Sequence, residues 1–367
     1  MAKLIFVVTE DWYFVSHRLP LAIEAVRQGY EVVLVTRISK FRRHIEQNGI
    51  RVVPFNTNRQ GLNPIEVLRE AVALARIYRR EKPDLVHHVA LRPVVVGALA
   101  ARLSRVSRVV SAITGMGFLF TGGERKPLVR KIVSTVLPHL ISHGVVIVQN
   151  LDDSAQITKF GVPSSKVRRI AGVGVDTEAF VPSIRNHDRT TVLMASRLLW
   201  DKGVGEFVEA ARLLKHSGAR FVLAGMVDTK NPAGVPREQV DAWTSQGLVE
   251  WWGHQEDMAA TLALGDIFCL PSYREGLPKV LLEAMSSGLP CVSTDVPGCR
   301  DVVRHGDTGL LVPAGDSAAL ASAIADLINN EEQRLEMGRR GRKRVVEGFS
   351  EARTISATMR VYKELMA

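Results

Sequence analysis

Two carboxylates, Glu275 and Glu283, and three cations, Arg197, Lys202 and Lys279, fall in two short stretches that each follow an apolar run and open a helical pattern. In Pro271-Ser-Tyr-Arg-Glu-Gly-Leu-Pro-Lys-Val-Leu-Leu-Glu283 the layout reads strand, tight turn, helix. Glu275 falls in the loop, Gly276 permits an unusual backbone, Pro278 suits the first helical turn and Glu283 sits inside the helix. Lys279, near the positive end of that helix, is unfavourable unless an anion compensates it, and a diphosphate would do so. A lysine pointing to water is the alternative. Ser196-Arg-Leu-Leu-Trp-Asp-Lys-Gly203 follows another strand and adds Arg197 and Lys202. A leaving nucleoside diphosphate gathers negative charge as its sugar bond breaks. Fixed cations stabilise that charge most in the transition state, each contributing on the order of 10²-fold in rate. The plain alternative is a surface Arg and Lys flanking a helix start.

Short β-rich runs alternate with longer helical patterns throughout the chain, the mark of parallel sheets covered by helices on both faces. The first half predicts strands at Leu4–Thr9, Glu31–Thr36, Val52–Phe55, Leu85–Val89, Val109–Ile113 and Val145–Gln149, with helices from about Leu19, Pro64, Arg92 and Lys126. After a polar stretch the pattern restarts, with strands at Thr191–Ala195, Phe221–Ala224, Val249–Trp252, Ile267–Leu270, Cys291–Thr294 and Gly309–Val312, and helices from Gly205, Leu262, Lys279 and Ser317. The expectation is α/β: two doubly wound Rossmann-like domains with a cleft between the carboxyl ends of their sheets. The domains are 1–182 and 191–348, joined by a linker at 183–190. The amphipathic tail, 349–367, either crosses back to the first domain or packs where it starts.

The chain has 367 residues, too many for one ordinary core and suited to two. Its three cysteines, Cys269, Cys291 and Cys299, form no CxxC and no even framework, which suggests a reducing, cytoplasmic setting. The apolar run Leu4–Val8 is too short for a signal segment and reads as the first strand. Net charge is +10, but residues 1–180 carry 26 Lys/Arg against 14 Asp/Glu, and the remainder 22 against 24. Such an imbalance suggests that the first half meets a polyanion, either nucleic acid or anionic lipid, or else is a solvated basic surface.

Glu275 and Glu283, seven residues apart in between, resemble the paired-glutamate motif of retaining glycosyltransferases of family 4, which have the GT-B fold, and the Arg197/Lys202 segment resembles that family's phosphate-binding loop. Asp266-Ile-Phe-Cys-Leu-Pro-Ser272, Glu283-Ala-Met-Ser-Ser-Gly-Leu-Pro-Cys-Val292, Val296-Pro-Gly-Cys-Arg-Asp-Val-Val303 and Gly306-Asp-Thr-Gly-Leu-Leu-Val-Pro313 continue the resemblance. It implies that Glu283 binds the ribose hydroxyls and that Glu275 contacts the transferred sugar, with Arg197 and Lys202 as the other catalytic groups. It further implies a donor site completed by Gly276, Leu277, Lys279 and Gly225. Pro278 replaces a glycine common in relatives and cannot donate an N–H. Retention in the family is thought to run on one face of the sugar, the donor's own phosphate oxygen helping to deprotonate the acceptor. No cofactor is expected. The lack of an Asp-x-Asp is consistent with metal-independent transfer, so no metal ligands are assigned.

Glu10-Asp-Trp-Tyr-Phe-Val-Ser-His-Arg-Leu-Pro20 occupies the first βα loop without the glycines many relatives carry there. It resembles a subgroup of bacterial enzymes that build capsule, O-antigen and protein-linked glycans on undecaprenyl diphosphate. Arg197–Phe207 and Asp228-Thr-Lys-Asn-Pro232 are similar to α-N-acetylgalactosaminyltransferases of that kind. His17 and Arg18 at a helix start, and His88 with Arg92 at another strand end, are candidates to hold an acceptor's diphosphate, although a lone histidine is more often structural. Thr114-Gly-Met-Gly117, with Gly115 as a further acceptor candidate, stands where some relatives place a catalytic histidine, so no protein general base is evident. No acidic residue follows these glycines at the spacing an NAD site requires. The stretch Phe118–His143 reads either as a basic amphipathic helix lying on an anionic bilayer or as an ordinary surface helix.

The combined expectation is retaining α-transfer from a UDP-sugar, an N-acetylhexosamine, to an undecaprenyl-diphosphate-linked glycan by a cytoplasmic protein peripheral to the inner membrane face, with no nucleic acid as partner. A nucleotide-sugar 2-epimerase of the same architecture is the rival enzyme. A non-catalytic nucleic-acid- or glycan-binding subunit is the rival from another class.

Overall fold

The computed structural model describes residues 1–57, 63–115, 135–183, 188–229 and 231–367. The chain divides into two compact units, Met1–Val173 with Thr354–Ala367, and Gly174–Arg353. The polar stretch that begins at Ser183 falls in the chain span of the second unit, and its residues 184–187 are outside the described residues.

The first unit is built on seven parallel strands: β1 (Lys3–Glu10), β2 (Glu31–Arg37), β3 (Arg51–Pro54), β4 (Leu85–Val89), β5 (Val109–Ile113), β6 (Val145–Val148) and β7 (Val167–Arg169). Their order is β3-β2-β1-β4-β5-β6-β7. Alternation along β1 sends Leu4, Phe6 and Val8 into one core and Ile5 and Val7 into the core on the opposite face, so the strand must be apolar throughout. Phe6 pairs with His87 and Val7 with His88, which carries the same alternation into β4. From the C-terminal segment, Met359, Val361 and Tyr362 complete the core that holds Phe6.

The expected first βα loop is instead a helix, Asp11–His17, followed by a second, Leu19–Arg27. Asp11 makes the turn back possible, because its buried carboxylate accepts the backbone N–H and hydroxyl of Ser39 at 2.6 and 2.5 Å and the N–H of Phe41 at 3.3 Å. Residues 118–134 of the proposed membrane stretch lie outside the described residues, while 135–141 are helical.

The second unit carries six strands, β8 (Thr191–Ala195), β9 (Arg220–Ala224), β10 (Glu250–Gly253), β11 (Ile267–Leu270), β12 (Cys291–Thr294) and β13 (Gly309–Val312), in the order β10-β9-β8-β11-β12-β13. The helix expected from Leu262 runs over Met258–Ala263, because the Asp257 carboxylate caps it at the Ala260 N–H. The tail 349–367 holds the helix Glu351–Met366, which follows the helix Glu331–Gly348 after the point where Val175 bridges to Ser350, and from Thr354 on it belongs to the first unit.

Both sheets wind outward from a central pair. In the first the chain moves from β1 out to β3 and returns to β4 beside β1. In the second it moves from β8 out to β10 and returns to β11 beside β8. At such switch points the loops leaving the two central strands diverge and leave a crevice.

Candidate functional site

The switch point of the second unit gathers the groups singled out from sequence. Ser196–Gly203 leaves β8 and Pro271–Pro278 leaves β11, whose Ile267 and Phe268 pair with Val192 and Leu193 of β8. The two loops are held in contact. A Cβ on Gly203, which has φ +76°, would lie 2.1 Å from the Pro271 carbonyl oxygen, and the Tyr273 N–H donates to the Asp201 carbonyl at 3.0 Å. Only glycine allows both that backbone conformation and that approach.

This contact places Lys202 on Glu275. The ammonium donates to Glu275 Oε1 at 2.5 Å, and the Ser272 hydroxyl donates to the same oxygen at 2.8 Å. Thr294 in turn donates its hydroxyl to the Ser272 carbonyl. The Glu275–Gly276 backbone is pinned from β12's following turn, where a Cβ on Gly298 (φ +82°) would lie within 2.6 Å of the Gly276 carbonyl oxygen. The side chains are not sealed in: Lys202 retains 24% of its surface and Glu275 11%. Cys299, beside Glu275, is no thiolate, because burial first and the carboxylate's charge second push its thiol up to about 12.

The second pair lies on the helix Lys279–Ser286, where Lys279 and Glu283 face each other one turn apart at 3.0 Å. The anion that Lys279 needs at the helix start is thus supplied by Glu283. Pro278 is the N-cap residue, not the first helical residue, and no side chain caps this helix or the helix Val204–Leu213, which starts from Gly203. Asp257, Asp316 and Asn330, by contrast, cap the helices that follow them. Uncapped helix starts carry free N–H donors and the positive end of the dipole. Arg197 pairs with Asp228 at 3.3 Å and keeps about half its surface exposed. Gly225, at φ +150°, lets the end of β9 approach the β8 loop, since a Cβ there would fall 1.7 Å from the Ser196 carbonyl oxygen. Leu277 packs against the unit's core.

The switch point of the first unit treats its candidates differently. His88 is fully buried. Its Nε2 lies 2.9 Å from the Tyr78 hydroxyl, and its ring fills the space that a Cβ on Gly97 would occupy, 2.4 Å away. Burial drives its pKa down to about 3, so it is a neutral core group. His88 therefore presents no surface to an acceptor, which corrects the expectation from sequence; strand alternation turns it into the layer of helices behind the sheet. Arg92 is likewise held inward, its Nη2 and Nε on the two oxygens of Glu70 at 2.8 and 3.2 Å. Such a buried pair neutralises the cation. His17 stacks on Tyr13 at 4.2 Å and bonds Ser16 Oγ at 2.6 Å through Nδ1. Arg18, 6% exposed, links the first two helices. Gly115, at φ +143°, follows β5, and residues beyond it are outside the described residues.

Ser272, Gly203 and Gly298 were not singled out as site residues. The signals were present, in the Pro-Ser that ends β11 and in glycines directly after a lysine and a proline, but their partners are distant in sequence.

Two strand-order reversals, with paired lysines and glutamates at one of them, define a doubly wound α/β protein whose charged groups gather at one crevice, and comparison with known proteins gives its family. Residues 175–344 match the family model of Glycosyl transferases group 1, and residues 3–142 match Glycosyl transferase 4-like. Together the two matches account for most of the chain, which belongs to this glycosyltransferase family. An N,N'-diacetylbacillosaminyl-diphospho-undecaprenol alpha-1,3-N-acetylgalactosaminyltransferase of Campylobacter jejuni is 28% identical over 88% of this chain and 88% of its own length. A UDP-Gal:alpha-D-GlcNAc-diphosphoundecaprenol alpha-1,3-galactosyltransferase of Escherichia coli is 26% identical over 84% of this chain and 82% of its own. Among solved structures, Anabaena HepE in complex with UDP and glucose superposes with a TM-score of 0.81 at 18% identity, covering 99% of this chain and 100% of that one. The fold is GT-B.

Proposed function

We propose that the chain is a retaining α-glycosyltransferase that moves a sugar, an N-acetylhexosamine, from a UDP donor to a glycan on undecaprenyl diphosphate at the cytoplasmic membrane face. The observation that carries this reading is the pair of lysine-held glutamates, Lys202–Glu275 and Lys279–Glu283, beside two uncapped helix starts at one switch point. A diphosphate entering there finds cations already in place. Arg197 and Lys202 stabilise the charge that grows on the leaving phosphate, an effect that needs no reorganisation during the reaction. With Lys202 drawn to the phosphate, Glu275 is released toward the transferred sugar, and Glu283 accepts from the ribose hydroxyls. The positive charge of the site serves as the sink that a metal ion serves elsewhere. The printed substrates of the Campylobacter and Escherichia relatives support a diphosphate-linked acceptor, and His17 and Arg18 of the first unit remain its candidates.

The test is a nucleoside-diphosphate release assay over a panel of UDP-, GDP- and ADP-sugars with and without a bacterial lipid-linked acceptor extract. Release from a UDP-N-acetylhexosamine that depends on the extract is the expected result, with the anomeric linkage read by NMR of the product. Absence of release from every donor overturns the reading.

A further inference from the structure

Arg18 is a buried guanidinium without a protein anion. It is 6% exposed, its Nε has no hydrogen-bond partner, and among the described residues no carboxylate pairs with it. Burial lowers its pKa, the hydroxyls of Tyr13 and Tyr362 act the other way, and the arginine remains charged. It is also the N-cap residue of the helix Leu19–Arg27, which no side chain caps. Because Arg18 is also the C-cap residue of the helix Asp11–His17, the two helix ends oppose each other there, and what stays uncompensated is the burial of a cation without a counter-ion. Beside it is a second unsatisfied group, the Nε2 of His87, two residues from the end of β4. His87 is held through its other nitrogen, 2.5 Å from the Tyr362 hydroxyl, so the C-terminal segment fixes the ring that stands next to the guanidinium.

Arg92 shows how the same unit satisfies an arginine that is structural: two glutamate oxygens meet it. Arg18 has no such arrangement, and it lies by the switch point formed by β1 and β4. We propose that Arg18, at the uncapped start of the helix Leu19–Arg27 and beside His87, is the receptor for a phosphoryl group of the diphosphate-linked acceptor. Guanidinium matches a phosphoryl group with two parallel N–H donors. Tyr362 is a positioning residue, acting through His87. The inference rests on the reading of the chain as a transferase to such an acceptor.

The experiment uses the full chain with saturating UDP, so that the donor site is occupied, and follows thermal unfolding and calorimetric binding of inorganic pyrophosphate and of a short-chain prenyl diphosphate sugar. The wild type is expected to bind both, the two in competition, and Arg18→Met to weaken both at least tenfold while melting, without anion, no lower than wild type. Arg18→Lys, which keeps the charge but loses the fork, recovers part of the affinity. In the release assay Arg18→Met raises the acceptor KM at least tenfold. An Arg18→Met protein that melts lower and responds to pyrophosphate as wild type does assigns Arg18 to structure and overturns the proposal. Pyrophosphate binding that the prenyl diphosphate sugar does not displace overturns its assignment to the acceptor. Failure of UDP itself to bind would instead strike the donor reading, independently of Arg18.

Discussion

The two switch points use charged and polar side chains in opposite ways. In the second unit Arg197, Lys202, Glu275 and Lys279 stand on loops and helix starts beyond the strands, each in an ion pair yet partly open to solvent. In the first unit His87 and His88 lie within β4 and Arg92 is drawn under the surface by Glu70. A polar residue past the end of a strand is offered to a ligand. One inside the strand is spent on the layer its face is turned toward, and Arg18 is a buried cation that, among the described residues, no carboxylate meets.

The sharpest way to break this contrast is Lys202→Ala. With Arg197 still present, turnover should fall on the order of 10²- to 10³-fold with donor affinity changed far less. An unaltered kcat would remove Lys202 from the chemistry. Next in size is Gly203→Ala, which should destabilise the protein by about 2 kcal/mol or more in denaturant unfolding and cut activity, since the loop cannot rest on Pro271. Gly218→Ala is its control, with φ +78° but nothing within 4 Å of the added Cβ. It should cost only about 1 kcal/mol of backbone strain. Equal costs for the two would show that the close approach does not matter.

Glu283→Ala is expected to raise the donor KM by about ten- to a hundredfold, the worth of a charge-assisted hydrogen bond. Isothermal titration of UDP into the variant measures it directly. The remaining prediction concerns the first unit. Burial holds His88 at about 3 and His87 well below the usual histidine range, whereas unfolded histidines titrate near 6.5. Both are neutral in the folded chain, so their contribution is fully present above pH 6.5. It is lost as pH falls toward 3, at up to about 1.4 kcal/mol per pH unit for each histidine. Urea unfolding at pH 7, 6 and 5 should show that slope, and His88→Asn should remove one histidine's share. A slope untouched by the substitution would mean that His88 titrates in the folded state.

Much of the fold was legible because a parallel strand buried on both faces must be a continuous apolar run, as in Leu4–Val8 and Ile267–Leu270. The short edge strand β7, Val-Arg-Arg, carries no such run and is not legible in the sequence. The helix Asp11–His17 was read as a loop because its stability comes from tertiary burial of Phe14 and from the reach of Asp11 to Ser39.

The sequence by itself determined the alternation of strands and helices, the two-domain class and the local strand–turn–helix frame of Glu275, Lys279 and Glu283, since each depends on spacing within a dozen residues. Tertiary structure alone decided that Lys202 meets Glu275 from 73 positions away, that Gly203 and Gly298 clamp the loops, and that His88 faces inward while Arg18 is left without a partner. The absence of a partner for Arg18 is among the described residues, and all of these facts depend on which strands become neighbours and which face each residue turns, which no local pattern encodes.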